Sequence, residues 1–468
     1  MTRYLICIVL ASLTLIGFAQ SDVQKHGMVK VSADGRYLQH EDGKPFFWLG
    51  DTGWELFHRL TKEEIANYLH NRHQKGFNLV QAVVLAEFDG LRKPNRYGVV
   101  PFHNLNPDQP NEAYFELVDW TMKEAEKENL VVGLLPTWGD KVTQLWGEGP
   151  VVLNADNAYR YGKFLGNRYA QTKNIIWILG GDRPSMNDTA DWRPIWRAMA
   201  KGILESTQNK ALITYHTAGG PKSTSQEIHQ EPWLHINMMQ SGHGGGHDVP
   251  VWDWVTRDRA LQPAKPTLDS EPNYEDHPVN PWPKWDPANG YFRDNDVRKQ
   301  CYRSVFAGAC GVTYGHHAIW QFWSAREEKI NYADRYWPEA MDRPGATQVG
   351  YLRKLMESRD PLHRIPDQSI IVDGQGEKGQ YATAFRDEKG RYGMVYIPFG
   401  KKVTINTSFI PNREVTLWWF DPRIGSAKKA GDFTSGKITL QTPSLGEGQD
   451  WVLVVDDKKL KFPSPGKK

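Results

Sequence analysis

The chain has 468 residues, enough for two or three domains at about 150 residues each. Apolar residues make up 40% and charged residues 24%, a globular balance that excludes a wholly disordered chain and a collagen-like fibre. Lysine and arginine total 57 and aspartate and glutamate total 55, so the net charge of +2 gives no reason to expect a nucleic-acid partner.

The N-terminal residues have the pattern of a secretory signal peptide. Arg3 supplies a positive charge, residues 5–18 form an apolar run too short to span a bilayer comfortably, and Gly17-Phe18-Ala19 offers a small-x-small cleavage site. We therefore expect cleavage after Ala19 and export by a Gram-negative bacterium into the periplasm or beyond. The mature chain is not expected to insert into a membrane.

The next segment alternates between strand and helix patterns after one or two predicted hairpins over Val29–Phe47. Eight runs have the composition of buried strands: Pro45–Gly50, Asn78–Ala86, Leu130–Trp138, Asn174–Asp182, Ala211–His216, His235–Gln240, Pro266–Glu271 and Gly311–Gly315. Amphipathic helical patterns separate most of them: Thr61–Lys75, Tyr114–Glu128, Ala158–Thr172, Trp192–Ser206, Val249–Leu261 and Asp296–Ala309. The first of these helices opens with a capping box formed by Thr61 and Glu64.

This alternation predicts an α/β fold, a (β/α)8 TIM barrel over residues 24–362. A doubly wound open sheet is the alternative, and in either fold ligands bind at the carboxyl ends of the strands. The link between the fifth and sixth strands is only about 18 residues long, so its helix is the least secure. Cys301 and Cys310 fall on one predicted helix about 13 Å apart, too far for a disulfide.

Beyond a linker at residues 359–367, the helical patterns stop. Seven short β runs follow: Ser369–Val372, Tyr381–Phe385, Tyr392–Ile397, Val403–Thr407, Glu414–Phe420, Lys437–Thr442 and Trp451–Val455. Their spacing predicts a small all-β sandwich over residues 366–458. Trp418 and Trp419 fall on opposite faces of one run, so at least one of them is expected in a core.

Two carboxyl groups stand at the ends of predicted strands. Strand four places Asp182 on the same face as Ile176 and Ile178, at the mouth of the barrel. Strand seven places Asp269 and Glu271 on one face, with Glu271 at the mouth. Glycoside hydrolysis needs such a pair, because one group protonates the leaving oxygen while the other attacks the anomeric carbon or activates water.

A purely structural interpretation of these acids is also available. Asp182 would then cap the following turn, and Glu271 would pair with a nearby arginine. Both residues end strands of the same barrel, and each precedes a proline by one or two positions, which favours the catalytic interpretation. Asp269, one layer deeper, is expected to orient a neighbour, and Glu275 lies in the loop beyond the strand.

Other polar and aromatic residues at the strand ends are candidate sugar contacts. They are Asp51, Trp54, Glu87, Trp138, His216, Gln240, His243, His316 and Trp320. The 19 tryptophans of the chain favour this interpretation, because flat amphipathic rings in a cleft suit the apolar faces of sugars. For each residue alone, core packing or loop capping is at least as good an explanation.

The motifs that would indicate a cofactor lack their structural context. A G-x-G-x-x-G at residues 374–379 and a G-x-x-x-x-G-K at residues 431–437 both fall in the all-β segment, where no helix can receive a phosphate. The run His243-Gly244-Gly245-Gly246 resembles an esterase oxyanion loop, but the chain has no nucleophile elbow. His243 with His247, or His316 with His317, lacks a third metal ligand at a telling spacing. We expect no cofactor and no metal.

Five stretches together resemble the apiosidase-like glycoside hydrolases of family 140. They are Trp48-Leu49-Gly50-Asp51-Thr52-Gly53-Trp54, Gly180-Gly181-Asp182, Glu271-Pro272-Asn273-Tyr274-Glu275, residues 311–320 and Trp419-Phe420-Asp421-Pro422-Arg423. The resemblance covers nearly the whole mature chain and implies a barrel followed by a collagen-binding-type sandwich. It also implies Asp182 as acid/base, Glu271 as nucleophile, and cleavage of apiose linkages at the base of side chains on the pectin rhamnogalacturonan II.

Asp182, at the end of predicted strand four, differs from the wider barrel superfamily, whose members usually have Glu at this position. A shorter Asp requires the leaving oxygen to approach the strand more closely, which fits the apiosidase-like family. We expect a retaining mechanism in which ionised Glu271 raises the pKa of Asp182 by repulsion. Arg183 would lower that pKa, and we expect its side chain to turn outward.

Two other functions remain open: a glycosidase for another plant polysaccharide, and a non-catalytic protein whose sandwich binds carbohydrate or collagen. We expect the sandwich to pack on the barrel, the chain to be a monomer, and its partner to be an oligosaccharide or polysaccharide.

Overall fold

The computed structural model describes residues 20–467, so the predicted signal peptide at residues 1–19 lies outside the described residues. The described chain begins with a short helix, α1 (Asp22–His26), and an antiparallel hairpin of β1 (Val29–Val31) and β2 (Leu38–His40). This hairpin lies within the segment for which the sequence predicts one or two.

Eight parallel strands form a nearly closed barrel. They are β3 (Trp48–Thr52), β4 (Leu79–Leu85), β5 (Val131–Thr137), β6 (Ile175–Gly180), β7 (Ile213–His216), β8 (Asn237–Met239), β9 (Thr267–Asp269) and β10 (Gly311–Tyr314). Strand β10 pairs in parallel with β3, so the first and last strands of the set are neighbours. A doubly wound open sheet would keep them apart, and the predicted barrel is therefore confirmed.

The helices lie between the strands on the outside of the barrel. The long ones are α3 (Lys62–Gln74), α4 (Glu112–Lys127), α5 (Ala155–Arg168), α6 (Arg193–Ser206), α7 (Val251–Arg259), α8 (Asp294–Phe306) and α11 (Pro344–Glu357), and the short ones are α2 (Leu56–Arg59), α9 (His317–Trp320) and α10 (Trp337–Ala340). The Thr61 hydroxyl accepts from the Glu64 N–H at 3.3 Å, and the Glu64 carboxylate accepts from the Thr61 N–H at 2.9 Å, which confirms the capping box of α3. The short link after β7 holds a single 3₁₀ turn, Thr224–Gln226.

The two cysteines do not share a helix as predicted. Cys301 lies on α8, but this helix ends at Phe306, and Gly308 then adopts a φ of +112° that turns the chain toward β10. Cys310 follows this turn, one residue before β10. Both thiols are buried and free.

The barrel interior is filled with apolar side chains below its mouth. The innermost cluster includes Trp48, Val83, Leu135, Ile176, Ile178, Met238 and Leu268, each at most 3% exposed. A second cluster packs the outer faces of the strands against the helices. Burial of both faces explains why the strands read as nearly continuous apolar runs.

The C-terminal region contains two antiparallel sheets. Their strands are β11 (Arg364–Pro366), β12 (Ile371–Asp373), β13 (Thr383–Asp387), β14 (Tyr392–Ile397), β15 (Gly400–Asn406), β16 (Glu414–Asp421), β17 (Ser426–Thr434), β18 (Lys437–Gly446) and β19 (Trp451–Asp457). The sequence predicted seven of these nine strands. It missed β11, which has three residues, and the edge strand β17, which buries no residue and so shows no apolar alternation.

The larger C-terminal sheet packs on the barrel through its outer face. Along β19, Leu453 and Val455 enter the sandwich core, while Val452 and Val454 join the cluster that contains Phe306 of α8. Trp419 lies in the sandwich core and Trp418 packs against the opposite cluster, as expected for opposite faces of one strand.

Buried ion pairs reinforce this contact. The Arg298 guanidinium of α8 binds the Asp450 carboxylate at 2.9 and 3.1 Å, and Arg359 binds Asp456 of β19 at 2.6 and 2.9 Å. The barrel and the sandwich are therefore joined by charged as well as apolar contacts.

Candidate active site

A cavity of about 840 Å³ opens at the carboxyl ends of the barrel strands. Its volume is in the range of small-molecule sites, and three carboxyl groups reach its wall: Glu87, Asp182 and Glu271. Glu87 follows β4, Asp182 follows β6 and Glu271 follows β9, so three strand ends bring these acids together.

Glu271 stands between two histidines. Nε2 of His216 lies 2.9 Å from Glu271 Oε2, and Nε2 of His243 lies 3.2 Å from Oε1. The Nδ1 atom of each ring accepts a backbone N–H, from Asp182 at 3.2 Å and from Tyr274 at 3.3 Å, so each ring carries its proton on Nε2. Although burial raises the pKa of Glu271, these two imidazoles lower it to about 2. Glu271 is therefore held as a carboxylate.

The chain makes a sharp turn to deliver Asp182. Gly180, Gly181 and Asp182 have φ angles of +87°, +108° and +52°, so three successive residues adopt left-handed conformations at the end of β6. A Cβ at Gly180 would lie 2.3 Å from the His216 carbonyl oxygen, which explains the glycine. Burial and then the negative charge of Glu271 raise the pKa of Asp182, against the opposing effects of Arg183, Trp146 and His216.

Arg183 turns inward, so the expected outward orientation is wrong. Its guanidinium is fully buried and donates to the Asp182 carboxylate at 3.3 Å, the Asp182 carbonyl at 2.8 Å and the Trp146 carbonyl at 2.6 Å. These backbone acceptors hold the side chain across the base of the neighbouring loop. Arg183 thereby keeps that loop against Asp182.

His216 connects the two acids. Its Nδ1 receives the backbone N–H of Asp182, and its Nε2 faces Glu271. The imidazole therefore fixes the position of one carboxyl-bearing residue relative to the other. The unlike environments of Asp182 and Glu271 push their pKa values in opposite directions, which is how paired acids acquire different roles.

Glu87 is a third acid beside Asp182. Burial raises its pKa to about 8, helped by the carboxylates of Asp182, Asp140 and Glu55 and opposed by Arg183. A neutral Glu87 can donate a hydrogen bond as well as accept one, which suits a contact with a sugar hydroxyl.

Tryptophans form the inner wall of the cavity. Trp54 and Trp138 are each 3% exposed, with ring centroids 5.3 Å apart, and both contact the His216 ring. Within residues 20–467, no protein group pairs with Trp138 Nε1 or Gln240 Oε1. Trp320, also on the wall, is 9% exposed. The wall thus combines apolar faces with polar atoms, as sugars require.

Contrary to expectation, three of the predicted sugar contacts do not line the cavity. One is His216, which is fully buried beside Glu271, and the other two are paired inside the barrel. Asp51 points toward α3, where its carboxylate accepts from Tyr68 at 2.8 Å and Arg72 at 3.1 Å. His316 is fully buried, caps α9 through Nδ1 and contacts Asp276 at 3.1 Å through Nε2. Both residues stabilise the barrel rather than line its mouth.

Asp269 does not share a face with Glu271, contrary to the predicted alternation. Leu268 enters the barrel interior, whereas Asp269 points outward and accepts from the Ser241 hydroxyl at 2.7 Å. Strand β9 ends at Asp269, so the strict alternation of side chains stops before Glu271. Glu275 is buried and accepts from the Tyr314 hydroxyl at 2.6 Å, outside the cavity.

A row of buried histidines supports His243 from behind. His243 stacks on His277 at 4.2 Å between centroids, and His277 meets the edge of His317 at 4.4 Å. Burial lowers the pKa of His277 well below its usual value and that of His317 to about 3. This uncharged stack fixes the ring of His243 without adding positive charge.

The aromatic rim of the cavity was not predicted from the sequence. Trp146 and Trp282 line it with 43% and 56% of their surfaces exposed. Trp146 also donates from its indole N–H to Asp182 Oδ2 at 2.9 Å. Its position in the glycine-rich stretch Trp146-Gly147-Glu148-Gly149 was the available signal, since large exposed aromatics in loops mark binding surfaces.

A second cavity, of about 230 Å³, lies around the amino ends of the strands, next to Phe46 and Val131. Its basic side chains Lys44, Arg353 and Arg359 are already paired with carboxylates. The barrel mouth is therefore the better candidate for chemistry.

A (β/α)8 barrel that carries at its mouth two carboxyl groups whose pKa values are shifted in opposite directions has the architecture of a glycoside hydrolase. The apiosidase-like catalytic domain family matches residues 32–363, and the family described as "Putative collagen-binding domain of a collagenase" matches residues 365–456. The chain belongs to the apiosidase-like family and is a glycosidase.

Solved structures agree with this assignment. A protein described as a glycoside hydrolase is 33% identical over 94% of this chain and 99% of its own, with a TM-score of 0.84. A glycoside hydrolase family 5 protein from Bacteroides vulgatus is also 33% identical, over 94% of this chain and 96% of its own, with a TM-score of 0.85. No curated protein matches the sequence.

Across residues 20–467, no helix is long and apolar enough to cross a membrane. No group of three or more His, Cys, Asp or Glu side chains there is placed to hold a metal ion.

Proposed function

We propose that the protein is a retaining glycosidase that cleaves an apiose linkage in side chains of the pectin rhamnogalacturonan II. Glu271 is the nucleophile and Asp182 the acid/base. The observation that carries this proposal is the different surroundings of the two acids: the imidazoles at 2.9 and 3.2 Å lower the pKa of Glu271 to about 2, whereas burial raises the pKa of Asp182. A double displacement needs one ionised and one protonated carboxyl group in this way. The apiosidase-like family supports the choice of sugar.

In the first step, a Glu271 oxygen forms a bond to the anomeric carbon while the glycosidic C–O bond breaks. The Asp182 proton moves to the departing oxygen, which leaves as an alcohol. The sugar is then esterified to Glu271, and the negative charge has passed from Glu271 to Asp182. Loss of the Glu271 charge removes the repulsion that kept the Asp182 pKa high, so Asp182 becomes ready to act as a base.

In the second step, Asp182 takes a proton from water, and the water oxygen bonds to the anomeric carbon as the ester bond breaks. Glu271 leaves as a carboxylate, which His216 and His243 again stabilise. Two inversions give net retention of configuration. Trp54 and Trp138 provide the apolar wall against which the reacting sugar packs.

Product analysis tests this function. The enzyme is incubated with rhamnogalacturonan II and a panel of other plant glycans, with the Glu271→Ala variant as control. Release of apiose by the wild type alone supports the proposal. Release of another sugar from another polysaccharide would keep the chemistry and replace the substrate, and release from no glycan would contradict the proposal.

The alternative of a sandwich that acts alone as a binding module has less support. The outer face of its larger sheet, including Val452 and Val454, is covered by the barrel. A binding face there would have to compete with this contact.

We further propose that the enzyme is exported through its N-terminal signal. Ser21 is the N-cap of α1, and the Asp22 carboxylate accepts a hydrogen bond from the Lys44 ammonium at 2.9 Å, so the residues that follow the predicted cleavage site are part of the fold. A mature chain that begins at Gln20 in the periplasm or medium is the expected result of mass analysis. An intact Met1 in the cytoplasm would contradict it.

A further inference from the structure

The loop between β5 and α5 carries a tryptophan that touches the proposed acid/base. Trp146 is 43% exposed, lines the cavity, and donates its indole N–H to Asp182 Oδ2 at 2.9 Å. The Asp182 side chain is itself 25% exposed, so Trp146 and the proposed acid/base both face the cavity. Nothing in the reaction described so far uses Trp146.

One face of the ring packs on Arg183. The Arg183 guanidinium carbon lies 4.0 Å from the ring centroid, and Arg183 Nη2 donates to the Trp146 carbonyl at 2.6 Å. Further along the loop, the Gly149 N–H donates to the Asp140 carboxylate at 2.9 Å, and Lys141 neutralises Asp140 at 2.7 Å. These contacts fix the loop, and the indole lines the cavity with 43% of the residue exposed.

The hydrogen bonds also distinguish the two oxygens of Asp182. Oδ2 accepts from Trp146 Nε1 and, at 3.3 Å, from Arg183 Nη1. In a protonated carboxyl group the carbonyl oxygen is a better acceptor than the hydroxyl oxygen, so two N–H donors on Oδ2 favour the acidic proton on Oδ1. The departing glycosidic oxygen must approach Oδ1, and the group attached to it then lies beside the indole.

We propose that Trp146 is both the platform for the leaving-group sugar and the positioning residue of Asp182. This inference rests on the proposed function, because it assumes that Asp182 protonates the leaving oxygen. The face of the indole opposite Arg183 stacks on the sugar that departs, and the indole N–H keeps the carboxyl group turned so that Oδ1 faces the bond to be cleaved. Specificity for the leaving group is thus coupled to the orientation of the acid.

Two substitutions separate the two roles. Trp146→Phe keeps a flat ring and removes the N–H donor, and Trp146→Ala removes both. A donor to a carboxylate favours the ionised form, so its loss raises the pKa of Asp182 and moves the alkaline limb of kcat/KM upward, by about 0.5–1 pH unit. Both variants should show this shift. Only Trp146→Ala should raise KM for an oligosaccharide substrate, by about tenfold, while inhibition by the released monosaccharide stays unchanged in both.

Trp282→Phe is the matched control. Trp282 is also an exposed tryptophan of the cavity, at 56%, but its ring contacts His277 rather than Asp182. The alkaline limb of the kcat/KM profile of Trp282→Phe should therefore stay at the wild-type pH. An unmoved limb in Trp146→Phe, or equal KM values for the wild type and Trp146→Ala, would overturn the proposal.

A second measurement does not depend on turnover. With ¹⁵N-tryptophan labelling, the indole resonance that disappears in Trp146→Phe should titrate with pH in the wild type and stay constant in Asp182→Asn. A resonance that titrates in neither protein contradicts the contact with Asp182. If the wild type cleaves no glycan, the proposed function fails, and this titration still decides whether Trp146 senses Asp182.

Discussion

Replacing His243 by Phe removes the imidazole that hydrogen-bonds Glu271 Oε1, one of the two imidazoles that lower the pKa of Glu271. Phe keeps an aromatic ring for the stack on His277, which lies 4.2 Å away, but it cannot donate to Glu271 Oε1. A hydrogen bond to a charged group contributes about 1.5–3 kcal/mol, and one pKa unit corresponds to about 1.4 kcal/mol. Since the 3.2 Å contact is long, the lower end applies, and the pKa of Glu271 should rise by about one unit from its value of about 2.

The assay is the pH profile of kcat/KM, whose acid limb reports protonation of the nucleophile in the free enzyme. We expect that limb to move upward by about one pH unit in His243→Phe. The Tyr274 N–H loses its acceptor in this variant, so circular dichroism must show that the protein is folded at each pH. His247→Phe is the control, because His247 lies on the same loop but pairs with Asp296 at 2.9 Å. An acid limb that stays in place in His243→Phe would refute the role of His243 as a donor to the nucleophile.

The structure makes three further predictions. Glu271→Ala should lose turnover and keep its melting temperature. Glu275→Gln should lower the melting temperature, because the two oxygens of Glu275 accept from the Tyr314 hydroxyl and the Gly345 N–H, and Gln can accept through only one oxygen. Loss of stability in the first variant alone would reverse these roles. Glu87 has a pKa of about 8, so it is neutral below that pH and ionised above it. The KM of the wild type should therefore rise above pH 8, while the KM of Glu87→Gln should not change with pH. If KM depends on pH in the same way in both proteins, Glu87 does not contact the sugar. Arg298→Met leaves Asp450 buried without its main partner and should destabilise the protein by about 3–5 kcal/mol in urea unfolding; a change below about 1 kcal/mol would mean that this pair does not hold the sandwich on the barrel.

The fold was accessible from sequence because burial on both faces gives barrel strands a continuous apolar composition. All eight strands appear where the sequence places them, although Pro45–Gly50 becomes Trp48–Thr52 because Pro45 and Phe46 pair with β2 of the hairpin instead of joining the barrel. The edge strand Ser426–Thr434 was not predicted for the opposite reason: none of its residues is buried, so its sequence lacks an apolar pattern.

The site could be predicted in part from the sequence, because the carboxyl ends of the strands meet at one end of a barrel regardless of the loop conformations. Glu87, Asp182 and Glu271 follow this rule. Asp51 is an exception, because its carboxylate pairs with Arg72 of the adjacent helix instead of facing the cavity. The residues next to Asp51 in the sequence do not indicate this pairing. His316 is bound in the same way by Asp276.

The inward turn of Arg183 could not be read from its neighbours. Its position depends on the carbonyl of Trp146, a residue 37 positions away, and on the left-handed turn at Asp182. The face of Asp269 was also misjudged, because alternation holds only inside a strand and β9 ends at that residue.

The most direct test of the account is to trap the glycosyl-enzyme. In Asp182→Ala, an aryl glycoside of the released sugar can still react, because its leaving group needs no proton, but hydrolysis of the ester lacks its base. Peptide mass mapping of this variant should then find one sugar attached to the peptide that contains Glu271. An unmodified Glu271 peptide, or a sugar attached to Glu87 in its place, would contradict the assignment of the nucleophile.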